Sequence, residues 1–216
     1  MNANTLRGTA ALTALVALAA CSSGGSNNDP SLVGVARQTL TQAVAQRGQA
    51  AEPAAPRDPA KMAATALSVN PGPLILVGLE GMGTTEVLAM TGQNGGMRTY
   101  MTPNEQAVIM RGFMLTGTRG LGHDLSTVEA AQSAALIAAG RSGTAQRVMR
   151  YYSADGLERP IDFTCQVGPG PRPGVMVEDC AGHGLSFQNS YLPGAGVSRQ
   201  WIGPALGYVT IQTLRP

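Results

Sequence analysis

The stretch Ile161-Asp162-Phe163-Thr164-Cys165-Gln166-Val167 alternates apolar and polar side chains at nearly every step. Successive side chains of a strand point to opposite faces, so Ile161, Phe163, Cys165 and Val167 share one face and Asp162, Thr164 and Gln166 the other. One buried side and one wet side mark an antiparallel sheet. The segment that follows, Gly168-Pro169-Gly170-Pro171-Arg172-Pro173-Gly174, is built to turn, and Cys180 lies beyond it. Folding the chain back about the middle of that segment brings position 180 opposite position 165. Cross-strand neighbours hold their Cβ atoms about 4.5–5.5 Å apart, near what a disulfide requires. Cys165 and Cys180 are therefore expected to bridge in an oxidising compartment.

Outward from this hairpin the same texture continues. Leu185, Phe187, Asn189 and Tyr191 alternate with Ser186, Gln188 and Ser190. Asn94-Gly95 reads as a type I′ turn between two strands, because such a turn needs positive φ at both central residues. Asp155-Gly156, Arg111-Gly112 and Pro193-Gly194-Ala195-Gly196 separate further strand pairs. Residues 126–139 are the exception: Ser126 stands three residues before Glu129 and an Ala-rich run follows to Gly140, which predicts a capping-box helix. The spacing predicts a mainly β domain of about eleven strands. Its antiparallel meander is expected to curl into a barrel-like or sandwich form, since long open edges invite aggregation.

The N-terminal third differs in kind. Arg7, an apolar run over residues 10–20 and the ending Leu18-Ala19-Ala20-Cys21 form a secretory signal, too short to span a bilayer at about 20 apolar residues. The Leu-x-x-Cys ending resembles a bacterial lipobox, which makes Cys21 the expected lipidation site. Ser22-Ser23-Gly24-Gly25-Ser26 then supplies a solvated leash. Leu32, Val35, Ala36, Leu40, Ala43 and Val44 recur at helical spacing, so residues 31–46 are expected to form a helix. Pro53, Pro56 and Pro59 mark residues 49–61 as an extended linker. The organisation predicted is a signal peptide over 1–20, a lipidated tether, helix and Pro-rich linker over 21–66, and a β-rich periplasmic domain over 67–216.

Composition excludes several functions. The formal net charge is +2, falling to +1 when Arg7 leaves with the signal. Such a weak field disfavours nucleic acid as a partner. Ten methionines against three phenylalanines point to a core filled by flexible side chains. No Gly-x-Ser-x-Gly elbow is present for a Ser/His/Asp hydrolase. Thr118-Arg119-Gly120-Leu121-Gly122 lacks the lysine of a phosphate-binding loop. The two histidines, His123 and His183, have Asp124, Glu178 and Asp179 nearby in sequence, but their spacing matches no zinc motif. Neither a metal nor another cofactor is expected.

Two segments remain as candidate ligand or partner surfaces. The first is the glycine-rich corner with Arg119, His123 and Asp124. The second is Ser198-Arg199-Gln200-Trp201 with Gly207-Tyr208, where Arg199, Trp201 and Tyr208 combine aromatic faces with hydrogen-bond donors. Core packing is the competing role for Trp201, the single tryptophan.

Taken together, the lipobox at Cys21, Thr118-Arg119-Gly120-Leu121-Gly122-His123-Asp124-Leu125, Asp162-Phe163-Thr164-Cys165, Cys180-Ala181-Gly182, Phe187-Gln188-Asn189-Ser190-Tyr191 and Ser198-Arg199-Gln200-Trp201-Ile202-Gly203-Pro204 resemble the YjbF/GfcB-type, or YmcC-like, outer-membrane lipoproteins. The resemblance runs from about residue 70 to the end. It implies a β-rich periplasmic domain tethered to the outer membrane through the acylated Cys21, working with polysaccharide-export proteins in exopolysaccharide or group 4 capsule production. No catalytic residues carry over. The leading expectation is a non-enzymatic accessory lipoprotein, with polysaccharide itself as a further candidate ligand. Two alternatives stand beside it: a polysaccharide-modifying enzyme centred on Arg119, His123 and Asp124, and a purely structural envelope lipoprotein.

Overall fold

A computed structural model describes residues 58–216. The signal segment, Cys21 and the helix expected over 31–46 lie outside the described residues. The described chain runs α1 (Pro59–Val69), β1 (Leu74–Leu79), β2 (Thr84–Asn94), β3 (Met97–Met101), β4 (Ala107–Arg111), β5 (Met114–Arg119), β6 (Leu125–Glu129), α2 (Ala131–Ala138), β7 (Gly143–Tyr152), β8 (Glu158–Pro169), β9 (Met176–Gly182), β10 (Leu185–Leu192), β11 (Val197–Gly203) and β12 (Gly207–Arg215).

All twelve strands belong to one sheet in the order β5-β4-β3-β2-β1-β12-β11-β10-β9-β8-β7-β6. Every pairing is antiparallel. The expected meander is therefore observed, with one strand more than the turn signals count, and it curls into a nearly closed barrel. The first and last strands, β1 and β12, pair with each other in the middle of the sheet. Its two edges are β5 and β6, neighbours in sequence.

The alternation over β8 and β10 survives in the burial: Phe163, Cys165, Val167, Phe187, Asn189 and Tyr191 face the interior while Asp162, Thr164, Gln166, Ser186 and Gln188 are exposed. Cys165 stands opposite Cys180 in the β8–β9 ladder, and the two sulfurs are bonded. Beside them Phe163, Phe187 and Trp201 form an aromatic cluster, with Phe187 and Trp201 stacked at 4.4 Å and Phe163 edge-on to both. The expected methionine filling is present in part: Met110, Met114, Met149 and Met176 are buried.

Three local expectations are corrected. The capping-box helix does not start at Ser126: residues Leu125–Glu129 are strand β6, and the helix begins at Ala131 after an N-cap, Ala130, that makes no side-chain cap bond. Pairing with β7 and burial of Leu125 and Val128 outweigh the local signal, and the Ser126 hydroxyl donates to Glu158 instead. The linker does not extend to Lys61. Pro59 occupies the first turn of α1 and the Asp58 carboxylate accepts from the N–H groups of Ala60 and Lys61 at 2.9 and 3.4 Å, so the proline opens a helix. At the other end of α1, Arg215 donates to the carbonyls of Leu67 (3.0 Å), Asn70 and Gly72, placing a cation where the helix dipole favours one.

The Asn94-Gly95 turn shifts by one residue. Asn94 pairs with Met97, so the loop is Gly95-Gly96, and of the two only Gly95 (φ 56°) is left-handed. The hairpin whose two loop residues both take positive φ is His183-Gly184, at 51° and 75° between β9 and β10.

Breaking the cystine is expected to lower stability by roughly 3 kcal/mol, the loop-closure contribution for about fifteen residues. Urea unfolding of Cys165→Ala/Cys180→Ala beside the oxidised wild type measures it, and adding reductant should move the wild type alone.

Candidate functional site

Because β5 and β6 are both edges, their approach closes the barrel, and no backbone ladder is formed between them among the described residues. Side chains do this work. Arg119, at the end of β5, donates from Nη1 to the carbonyls of Leu125 and Ser126 at 3.2 Å each, and from Nη2 to Ser126 at 3.2 Å. Thr118 accepts from the Leu125 N–H at 3.0 Å and donates to Asp124 Oδ1 at 2.9 Å. The Asp124 carboxylate also accepts the Leu121 N–H at 3.2 Å, which holds the corner between the strands. Gly117 is needed here because a Cβ would stand 3.0 Å from the Ser126 carbonyl oxygen.

From β11 the Gln200 amide reaches the same edge strand, accepting from Leu115 N–H at 2.9 Å and donating to Phe113 C=O at 2.8 Å. For those two groups it takes the place of a neighbouring strand.

A second set of polar side chains lies in the closed interior. Arg147 and Glu178, both fully buried, pair at 2.9 Å. Asn189 Nδ2 and the Tyr191 hydroxyl donate to the same carboxylate oxygen at 2.8 and 3.0 Å. Asn189 Oδ1 accepts the Trp201 N–H at 2.7 Å, which ties β10 to β11. Burial opposes charge on Glu178, but Arg147 and these hydrogen bonds together hold its carboxyl below the ordinary value. Burial and the Glu178 carboxylate push the Tyr191 phenol far up.

The candidate surface residues separate into distinct places. Arg119 and Asp124 clasp the seam. Trp201 is 7% exposed within the aromatic cluster and offers no open ring face. Arg199 stacks on Tyr208, 3.4 Å from the ring centroid, and pairs through two bonds of 2.6 and 2.7 Å with Glu80. This half-exposed group sits on the outer face of β11 and β12. Arg199 lowers the Glu80 carboxyl.

His123 stands at an opening, with Asp124 beside it. A cleft of about 330 Å³ is lined by Gly122, His123 and Asp124 from the corner, Tyr151 and Tyr152 from the end of β7, and Gly203, Pro204, Ala205 and Leu206 from the β11–β12 turn. Tyr151 anchors one wall by donating to the Ile202 carbonyl at 2.5 Å, and its ring would lie 3.3 Å from a Cβ on Gly203. Burial raises the Tyr151 phenol well above the usual range. Tyr152 is 65% exposed. The glycine-rich corner and the segment after Trp201, far apart in sequence, thus meet at one rim of the barrel.

Tyr151, Tyr152, Arg147 and Glu178 were not legible as site residues. Inward alternation carried a signal for Arg147, flanked on its face by buried Ala145 and Met149, and for Asn189 beside Phe187 and Tyr191. Among the described residues one cluster of metal-type donors occurs, Cys165, Glu178 and Cys180, and its two cysteines are bonded to each other. His123 and His183 are not part of it.

The described residues thus form a small β-module, a disulfide-tied, nearly closed antiparallel barrel with a shallow cleft at its rim. The model of the family described as "Group 4 capsule polysaccharide lipoprotein gfcB, YjbF" matches residues 37–214, and the chain belongs to that family. The crystal structure of the hypothetical lipoprotein YmcC from Escherichia coli (K12) shares the fold, with a TM-score of 0.59 at 15% identity over 88% of this chain and 98% of that one. No curated protein sequence matches the chain significantly. No helix among the described residues is long and apolar enough to cross a membrane.

Because the Glu178 carboxyl is held below its unfolded value, its contribution to stability is complete above the unfolded value of about 4.3. It is lost as pH falls through the folded value. The urea midpoint of the wild type should drop as pH falls below about 4.3, while Glu178→Gln should be less stable at neutral pH and lose less over the same range. Equal pH slopes for the two chains would contradict this assignment.

Proposed function

We propose that the chain is a lipid-anchored, periplasm-facing accessory protein of exopolysaccharide or capsule secretion, acting by binding rather than by catalysis. The match of the capsule-lipoprotein family model over residues 37–214 carries this reading. The lipobox ending at Cys21 supports an envelope anchor, since stable attachment follows when more than one acyl chain is buried at about 0.8 kcal/mol per methylene. Serine rather than aspartate at position 22 agrees with sorting to the outer membrane. The bonded pair Cys165–Cys180 suits an oxidising compartment.

Two of the three groups that an acid–base centre in the corner would use are already engaged. Arg119 is spent on the β6 carbonyls and Asp124 on Thr118 and Leu121. These contacts support recognition, of polymer or of export proteins, as the role of the rim in this reading.

Deleting the gene in a polysaccharide-producing strain should abolish or sharply reduce surface polymer, and full-length chain supplied in trans should restore it. Cys21→Ser should leave the chain in the soluble fraction and fail to restore polymer. Unchanged polymer in the deletion strain would overturn the reading.

A further inference from the structure

We propose that the rim cleft between the glycine-rich corner and the β11–β12 turn is a saccharide subsite, selective for a neutral pyranose unit, with Tyr152 as its stacking platform and His123 as its hydroxyl partner. It rests on the polysaccharide reading above and gives that reading a place on the molecule. The fold buries its other aromatic side chains more fully: Tyr100, Phe163, Phe187, Tyr191 and Trp201 are all below 9% exposure. Tyr152 stays 65% exposed at the mouth of a formed cleft. An exposed ring beside polar groups is the arrangement that the apolar face of a pyranose stacks on while its hydroxyls take hydrogen bonds. The cleft's volume of about 330 Å³ lies at the lower end of the range for small-ligand sites and admits one or two sugar units.

Charge decides which sugars. No arginine or lysine lines the cleft, and the one carboxylate there, Asp124, repels an anionic ligand. A uronate or a phosphorylated sugar meets an unfavourable field, and a neutral ring meets none. Space is provided by glycine. At Gly122 (φ 87°) nothing lies within 4 Å of where a Cβ would sit, so the backbone there is open to a ligand. On the far wall, Tyr151 fixes Ile202 and Gly203, which makes the cleft preformed and lowers the ordering cost of binding.

The test uses full-length chain in detergent micelles, immobilised, with oligosaccharides made by partial hydrolysis of the producing strain's own polymer. Anion exchange splits them into a neutral and an anionic pool. Wild-type chain should retain the neutral pool. Tyr152→Ala and His123→Ala should each weaken retention about tenfold, Tyr152→Phe should keep most of it, and Arg199→Ala on the outer face should leave it unchanged. Thermal unfolding midpoints matched to wild type establish that the exposed substitutions leave the fold intact. Equal retention by Tyr152→Ala, or binding confined to the anionic pool, would overturn the subsite. So would failure to retain either pool from a strain whose surface polymer depends on the chain, an outcome that leaves the accessory role standing. Polymer unaffected by gene deletion would instead remove the accessory role, whatever the columns show.

Discussion

Everything in this domain depends on joining two sheet edges that share no ladder. In this twelve-stranded antiparallel meander β1 pairs with β12, and the two edges fall on strands consecutive in the chain, β5 and β6. Unpaired edges expose rows of donors and acceptors and invite pairing with other chains. The protein answers with side chains: the Arg119 guanidinium across two β6 carbonyls, the Thr118 hydroxyl under the Leu125 N–H, and the Gln200 amide on Leu115 of β5 and on Phe113 just before it. Each such bond has modest net value, but the groups it satisfies would cost more if buried alone.

Closure in turn creates a sealed interior, and the polar residues there follow from it. Arg147 and Glu178 lose all contact with water, and each charge compensates the other while Asn189 and Tyr191 add two bonds to the same carboxylate oxygen, Oε2; Oε1 and the Arg147 Nε and Nη2 have no hydrogen-bond partner. The same residues specify register. Glu178 sits two positions from Cys180 on one strand, and Asn189 two from Phe187 on the next, so a slip of one residue would turn the ion pair outward and the exposed side chains of β8–β10 inward. The cystine, the aromatic cluster and the ion pair therefore select one arrangement of the five strands β7 to β11.

How much of this was readable from the chain depends on the range of the interaction. Period-two alternation reports directly on one buried face, which is why the strands around Phe163 and Phe187 and the facing cysteines were legible, and with them the β class and the curl. A signal judged within a few residues failed where distant pairing won, since Ser126 looks like a cap until β7 claims it; at Pro59 the deciding signal was itself local, the Asp58 carboxylate capping the helix that the proline opens. The candidate site was half legible. His123 and Asp124 stood out in a glycine-rich corner, yet assigning Arg119 to the seam requires knowing that β5 and β6 are edges. Tyr152 carried no pattern at all, since one tyrosine at the end of a strand gains meaning only when the β11–β12 turn arrives beside it.

The placement of the terminal strands has a mechanical consequence. The described chain enters through α1, whose last carbonyls are gripped by Arg215, and passes straight into β1, which is laddered on both sides by β2 and β12. A force applied at residue 58 loads a doubly flanked central strand and spreads over two ladders. The side-chain seam between β5 and β6 lies at the two ends of the strand order and stays off that path.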